Sequence, residues 1–387
     1  MKDDPTGALY LRRWAAAVQS GAASSTVIQR VVHPGLTPLS GSGIFGMVPA
    51  GRAGNAGESP QSVSIVHIKT ESDGGLGADA NERDPIFGAL LTLASNRRFL
   101  VTPEVPLRLA GKLSTLLVPM NFQVDPDLSA PPPAFGRINN SVKEYIARLS
   151  TMDETDAEAI SAAIRLHYNS TLLYDRDLAG AYALAVGGVE ALAAQFGPAF
   201  AAWEDWDKAE SWEKFFAEQA LSESQVEALK ARLLSDQHVR LTEKFTRYFC
   251  ENLPADFWLT KVKSYTWGID ADSGLPIDGA WSAPVARDVL FASDSEALRR
   301  AVKRAYQRRS TYIHAGKHVG NHLTEFFGDG PGRVRKVLSY AQLRNGLREL
   351  IIKEIRARGS AGLKKEQLFV ADLGSPGARG AAFFMHP

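Results

Sequence analysis

The chain has 387 residues, of which 45% are hydrophobic and 22% charged, and its formal net charge is +1. This length has room for two or three domains, and the composition is typical of a globular protein. The single cysteine, Cys250, excludes an intrachain disulfide, and its helical surroundings indicate a small core residue. With no secretory signal and no apolar run of roughly 18 residues, we expect a cytoplasmic protein without a membrane segment.

Residues 1–125 mix short β-rich runs with glycine- and proline-rich loops. The β-rich runs lie at 25–32, 62–69 and 98–103, and one helical run lies at 86–95. This mixture predicts a small α+β domain. Three consecutive prolines at 131–133 cannot continue a helix or a central strand, so residues 126–139 are expected to form a stiff linker.

Helical periodicity dominates from residue 140 to residue 358. Residues 253–293 interrupt it with proline, glycine and three of the seven tryptophans. Helices are expected at 154–170, 175–197, 200–219, 222–235, 238–252, 294–315 and 335–358. The sequence therefore predicts an all-α domain at 140–358, followed by a glycine-rich and partly ordered tail at 359–387.

Charge is divided unevenly within this helical half. Residues 190–230 hold nine acidic and three basic side chains, whereas residues 298–366 hold seventeen basic and five acidic ones. Two interpretations stay open: helix faces that are only solvated and partly neutralised by the acidic helices, or a surface that binds a polyanion.

One basic residue interrupts an apolar stripe in the helix predicted at 294–315. The stripe consists of Leu298, Val302, Ala305, Arg309 and Tyr312. An arginine on such a face is costly unless it is paired, which singles out Arg309. Gly316 predicts the end of the helix and puts His314 in its last turn. Because arginine binds phosphate oxygens and histidine transfers protons near neutral pH, the two side chains suit phosphate chemistry.

Arg309 and His314 are five residues apart, which leaves their side chains about 140° apart on an ideal helix. A symmetric pair of these helices would bring two arginines and two histidines to one cleft. We therefore expect a homodimer that forms through the helices around 178–196 and 294–315.

A metal site is the rival interpretation of this region. His314, His318 and His322 are spaced by four, as metal ligands on a helix are. Gly316 and Gly320 interrupt such a helix, so we favour solvated loop histidines and expect no bound metal.

Two further stretches have alternative interpretations. "GSGIFG" at 41–46 fits a dinucleotide-binding pattern, but Pro38 and Pro49 flank it, so we expect a loop. "FWLTKVKSYTW" at 257–267 either stacks nucleic-acid bases while its lysines meet phosphates, or forms a strand packed over the bundle.

The segment from Arg309 to His314 has the spacing R-x4-H with a polar residue, Ser310, after the arginine. In this it resembles the motif of HEPN-domain ribonucleases. The stretches similar to the early, motif and closing helices of Apea-like HEPN domains are 177–193, 298–316 and 338–355. The resemblance covers roughly residues 150–358.

The resemblance implies a helical bundle that dimerises around a composite site, and metal-independent RNA cleavage by the ribose 2′-hydroxyl. It implies that His314 moves protons, that Arg309 stabilises the phosphate charge and that Ser310 supports them. Glu190 would orient one of these groups. The basic neighbours expected to contact RNA are Arg304, Arg308 and Lys317. No cofactor or metal is implied, and the expected role is that of a toxin or an antiviral effector.

Two features depart from the family pattern. Gly316 stands where members paired with nucleotidyltransferase antitoxins carry a tyrosine, and residues 253–293 are long for a connector between helices. The competing hypothesis is a non-catalytic HEPN protein that binds RNA or a partner protein through the same basic face.

Overall fold

The structure is a computed structural model. It describes residues 25–34, 41, 45–53, 61–70, 80–102, 133–174, 176–198, 202–206, 208–235, 241–254, 257, 264–269, 276–281, 295–316 and 337–359. Within most of the strands and at some other positions, including His314, only the backbone is described.

Helices form most of the described chain. The α-helices are α1 (Ala80–Ser95), α2 (Phe135–Ser150), α3 (Glu154–Leu173), α4 (Leu178–Phe196), α5 (Ala209–Glu218), α6 (Glu223–Ser235), α7 (Leu241–Asn252), α8 (Ser295–Ala315) and α9 (Tyr340–Arg358). The strands are β1 (Ser25–Pro34), β2 (Phe45–Ala53), β3 (Gln61–Thr70), β4 (Leu100–Thr102), β5 (Ser264–Ile269) and β6 (Pro276–Trp281).

The strands pair in two antiparallel groups. One has the order β2-β3-β1-β4, and in it Val31 of β1 lies opposite Ser64 of β3 and Val101 of β4. The register between β2 and β3 shifts between Pro49 and Gly51, where proline has no N–H to donate to the ladder. The other group is the hairpin of β5 and β6.

The prediction of an α+β N-terminal domain followed by a separate all-α bundle is wrong. Helices dominate the part of the chain that the structure describes, and they support a mostly helical protein. Helix α1, inside the predicted α+β region, packs on α2 and α3, and its Phe87, Leu90 and Leu93 are buried in the same core as the later helices. Residues 87–95 are buried on every side of α1, so this helix belongs to the interior of the bundle.

Helix α4 lies at the centre of the bundle, where it contacts α3, α7, α8 and α9. Its N-cap is Asp177, whose side chain accepts a hydrogen bond from the backbone N–H of Gly180 at 2.9 Å. Gly188 permits the close approach of α9, because a Cβ there would lie 2.6 Å from a methyl carbon of Leu347. This packing fixes α4 as the element against which α8 is placed.

Helix α4 is also long and apolar enough to cross a membrane by length and composition, which the sequence analysis did not expect. Its buried residues include Ala181, Val186, Val189 and Leu192, all packed by neighbouring helices. That is the environment of a core helix. Because one such helix is weak evidence for a membrane span, the chain is not clearly a membrane protein.

Residues 203–235 form a second, smaller core, and we call this segment the acidic hairpin. The helix predicted at 200–219 is divided there into a 3₁₀ turn, Trp203–Asp205, and α5. The tight turn puts Trp203 and Trp206 on one side, where both pack with Phe216. Helix α6 completes the hairpin, and its Val226, Leu233 and Leu234 pack against the same small core.

Candidate active site

Helix α8 carries the predicted motif and packs on α4 and α7. Leu298, Val302 and Ala305 are buried, as the apolar stripe requires. Gly316 has a φ of +60° and its N–H donates to the carbonyl of Tyr312 at 3.1 Å. Because glycine adopts this left-handed conformation without strain, the predicted helix end at Gly316 is confirmed.

Arg309 is paired across the packed face, as its position on an apolar stripe demands. A terminal guanidinium nitrogen lies 3.2 Å from Oε2 of Glu190 on α4, with the two side chains 23% and 18% exposed. The Nε atom of Arg309 is buried and has no hydrogen-bond partner among the residues that the structure describes. Glu190 therefore holds the guanidinium of Arg309 by a terminal nitrogen and leaves its Nε–H unbonded.

Tyr306 binds the same carboxylate from one turn earlier on α8. Its hydroxyl donates to Oε1 of Glu190 at 3.3 Å. Burial, helped by the negative charge of Glu190 and opposed by Arg309, raises the pKa of Tyr306 to about 12. Both oxygens of Glu190 are thus engaged by α8, and we call Tyr306, Glu190 and Arg309 the seam set.

Tyr312 makes a third polar contact between α8 and α4. Its hydroxyl donates to Oδ2 of Asp177 at 2.8 Å, while Oδ1 of Asp177 caps α4. The hydrogen bond to Asp177 is the main reason why the pKa of Tyr312 lies above its usual value. Since Tyr312 lies two residues before His314, this contact fixes the backbone of the last turn of α8 against α4.

The remaining predicted site residues have different surroundings. Ser310 is half-buried on α8, and Arg304 and Arg308 are exposed on it. His314 lies in the last turn of α8 by its backbone, and Lys317 lies outside the described residues. The structure therefore brings Arg309 and Glu190 together, whereas the direction of the His314 side chain is not among the features it describes.

Sequence reasoning missed the role of both tyrosines in holding α8. Tyr306, Arg309 and Tyr312 are spaced by three, which puts them on one side of a helix. Asp177 stands immediately before the helical run of α4, as an N-cap does. These two patterns could have suggested a polar contact between α8 and the start of α4.

The structure describes few of the residues on which the rival interpretations depend. Within the searched residues, no group of three histidine, cysteine or acidic side chains is arranged to hold a metal ion, but His318 and His322 lie outside them. Residues 42–44 of the stretch 41–46 and residues 258–263 of the stretch 257–267 also lie outside. Cys250 packs against the main core, and burial raises the pKa of its thiol to about 12, so it stays protonated at neutral pH.

Comparison of the chain with protein-family models, with curated proteins and with solved structures found no match. The resemblance to HEPN ribonucleases therefore depends on the motif residues themselves. The structure adds one feature to this motif. Glu190 of α4 holds Arg309 of α8, five residues before His314 in the last turn of α8.

Proposed function

We propose that the protein is a metal-independent endoribonuclease. The observation that carries this proposal is the contact of Arg309 with Glu190 at 3.2 Å, on the helix whose last turn contains His314. An arginine that a carboxylate holds in place and that stays 23% exposed is suited to bind and stabilise a phosphate whose charge grows during the reaction.

In the proposed reaction the ribose 2′-hydroxyl attacks the adjacent phosphorus. A bond forms from O2′ to phosphorus while the bond from phosphorus to O5′ breaks, leaving a 2′,3′-cyclic phosphate and a 5′-hydroxyl. His314 moves the proton that leaves the 2′-hydroxyl or the one that joins O5′. Arg309 stabilises the phosphate oxygens, Ser310 is a supporting polar group, and Glu190 and Tyr306 keep Arg309 in position.

The proposed substrate is RNA, bound by the exposed Arg304 and Arg308 and by Lys317. We further propose a cytoplasmic homodimer in which two copies of α8 approach each other, acting as a toxin or an antiviral effector. Most of α4 is covered by helices of its own chain, so its share of such an interface would be the half-buried edge at Leu184, Gly187 and Ala191.

A non-catalytic HEPN module that binds RNA or a partner protein is the second candidate. The observation that favours it is the same contact of Arg309 with Glu190, because an ion pair alone is sufficient to place an arginine on an otherwise apolar face. A module of this kind needs neither His314 nor the unbonded Nε of Arg309.

Incubation of the purified protein with total RNA in EDTA, followed by chemical analysis of the new ends, distinguishes the two candidates. The ribonuclease predicts cyclic phosphates and 5′-hydroxyls, and it predicts that DNA of the same sequence is bound but not cut. Replacing Arg309 by lysine in the same assay tests whether its guanidinium is needed for cleavage. Arg308→Lys is the matched control, since Arg308 is exposed on the same helix. RNA binding without cleavage would favour the non-catalytic module.

A further inference from the structure

The acidic hairpin, residues 203–235, has its own small core and a strong charge. It contains eight acidic and four basic residues, a net charge of −4. Its Trp203, Trp206 and Phe216 pack among themselves as a cluster distinct from the main core. The proposed ribonuclease chemistry makes no use of this segment.

The hairpin exposes apolar side chains that its own core does not cover. Phe215 is 44% exposed and Leu229 is 38% exposed, and they are two of the three large hydrophobic side chains exposed in the described residues. The ring of Phe215 packs edge-on against Trp212, with ring centroids 5.6 Å apart. Because Trp212 packs against the small core, Phe215 extends that core to the surface. Glu218, one turn further along α5, is also exposed. Aromatic residues are enriched at protein-binding surfaces, and an exposed carboxylate beside one suits the polar rim of such a surface.

The outer face of α8 has the opposite charge. This helix holds six basic residues and one acidic residue, a net charge of +5, the highest of any described helix. Arg300, Arg304 and Arg308 follow one another at intervals of four and are all exposed. They lie away from Arg309, which faces α4. Arginine pairs with carboxylates and stacks on aromatic rings, so this face complements both features of the hairpin.

We propose that the acidic hairpin of one copy docks on the outer basic face of α8 of a second copy. Phe215 packs against the guanidinium groups of that face, Glu218 pairs with Arg304 or Arg308, and Glu210 exchanges its exposed ion pair with Lys214 for one with the same face. The charges of −4 and +5 make the contact attractive, and they make a polyanion an unsuitable occupant of the hairpin.

This contact has a consequence for the proposed ribonuclease. The face that it covers includes Arg304 and Arg308, which we propose as RNA contacts, so docking of the acidic hairpin and RNA binding exclude each other. The consequence rests on the proposed function, whereas the contact between two copies does not. Association of this kind weakens with salt, because salt screens charges at a protein surface.

A charge exchange tests the contact, with sedimentation velocity at low salt and without RNA as the measurement. Glu210→Arg with Glu218→Arg, and separately Arg304→Glu with Arg308→Glu, should each weaken self-association by about tenfold or more. The four changes together should restore it, because attraction returns with the signs exchanged. Phe215→Ser should weaken it without any change of charge. Glu158→Arg, an exposed site on α3, is the matched control and should have no effect.

Several results would overturn the proposal. They are a wild-type protein that shows no salt-sensitive association at low salt, salt-sensitive association that survives either charge reversal, and a fourfold variant that does not regain this association although circular dichroism shows it folded. Association lost in Ile313→Glu but kept in both charge reversals would place the interface at the other side of α8. Because no RNA is present, these outcomes are independent of whether the protein cleaves RNA.

Discussion

The seam set has a counterpart elsewhere in the bundle, where Tyr248 of α7 and Arg358 of α9 share Glu354. The hydroxyl of Tyr248 donates to one carboxylate oxygen at 2.9 Å, and Nε of Arg358 donates to the other at 3.3 Å. The chemical groups are the same as in the seam set, and the two sets differ in what surrounds the arginine.

Arg358 is 41% exposed and has several partners. Its guanidinium lies over the ring of Phe196 at 4.5 Å and lies 3.9 Å from Asp156. Arg309 is 23% exposed, its Nε has no partner among the described residues, and His314 follows in the same helix. A tyrosine and an arginine on one carboxylate thus stabilise helix packing in both places, and of the two sets the seam set has an arginine with an unbonded Nε on a helix whose last turn contains a histidine.

The largest expected effect is that of His314→Ala. RNA cleavage should fall by ~10²–10⁴-fold, the usual contribution of a general acid or base, while RNA binding persists through the basic residues of α8. Single-turnover cleavage and filter binding measure the two quantities. His318→Ala is the control and should be nearly silent. Full activity of His314→Ala would remove the difference between the seam set and its counterpart.

The two carboxylates should respond differently to the change from glutamate to glutamine. Glu190→Gln should lower cleavage by up to ~10²-fold, because Arg309 loses the partner that positions it. Glu354→Gln should instead lower the free energy of unfolding by about 1–3 kcal/mol, because Glu354 is buried and accepts bonds from two side chains. Urea denaturation and single-turnover cleavage of both variants provide the comparison. Equal effects on cleavage would contradict the distinction.

Tyr306 of the seam set and Tyr248 of its counterpart can be compared by the pH at which each ionises. The folded pKa of Tyr306 is about 12 against an ordinary value of 10.0, so its contribution to stability is complete below pH ~10 and is lost as the pH rises through ~12. Tyr306→Phe should remove that part of the alkaline loss of stability. Glu190→Gln should lower the pKa of Tyr306, because the carboxylate charge is one of the causes that raise it.

Tyr248 is the internal control for this titration. Burial and Glu354 raise its pKa well above the ordinary value, and Glu190 takes no part. Spectroscopic titration of tyrosinate in single Tyr→Phe variants follows each group. A Tyr306 that ionises near pH 10 in the folded protein would contradict the described hydrogen bond to Glu190.

The smallest effect is expected for Tyr312→Phe. Loss of the hydrogen bond to Asp177 should lower cleavage by about fivefold, the equivalent of one ordinary hydrogen bond, by loosening the turn that contains His314. Thr311→Ala is the control, since its exposed hydroxyl donates to the carbonyl of Gln307 within α8.

The sequence predicted local features of α8 well. Gly316 at the helix end and the need of Arg309 for a partner follow from rules that act within one helix. The identity of the contacts was beyond such rules, because Tyr306 and Glu190 are 116 residues apart and Tyr312 and Asp177 are 135 apart. Glu190 was singled out only through the resemblance to HEPN domains.

The prediction of the fold class was wrong for a related reason. A short apolar run such as 86–95 reads as helical, but nothing in its periodicity tells whether it covers a sheet or enters a bundle. Packing of α1 on α2 and α3 decides this, and those contacts join residues far apart in the chain. The helix predicted at 335–358 begins instead at Tyr340, where Ser339 and Gln342 form a capping box, a local pattern that the prediction did not use.

The most direct test of whether Arg309 and Arg358 have different roles is single-turnover cleavage of one RNA oligonucleotide under saturating protein. With binding saturated, Arg309→Lys should cleave at least ~10²-fold more slowly than the wild type, because a point charge cannot replace the planar donor fork at the phosphate. Arg358→Lys should cleave at the wild-type rate. Equal rates for the two variants would contradict a catalytic role for Arg309 and would make the seam set a structural contact like its counterpart.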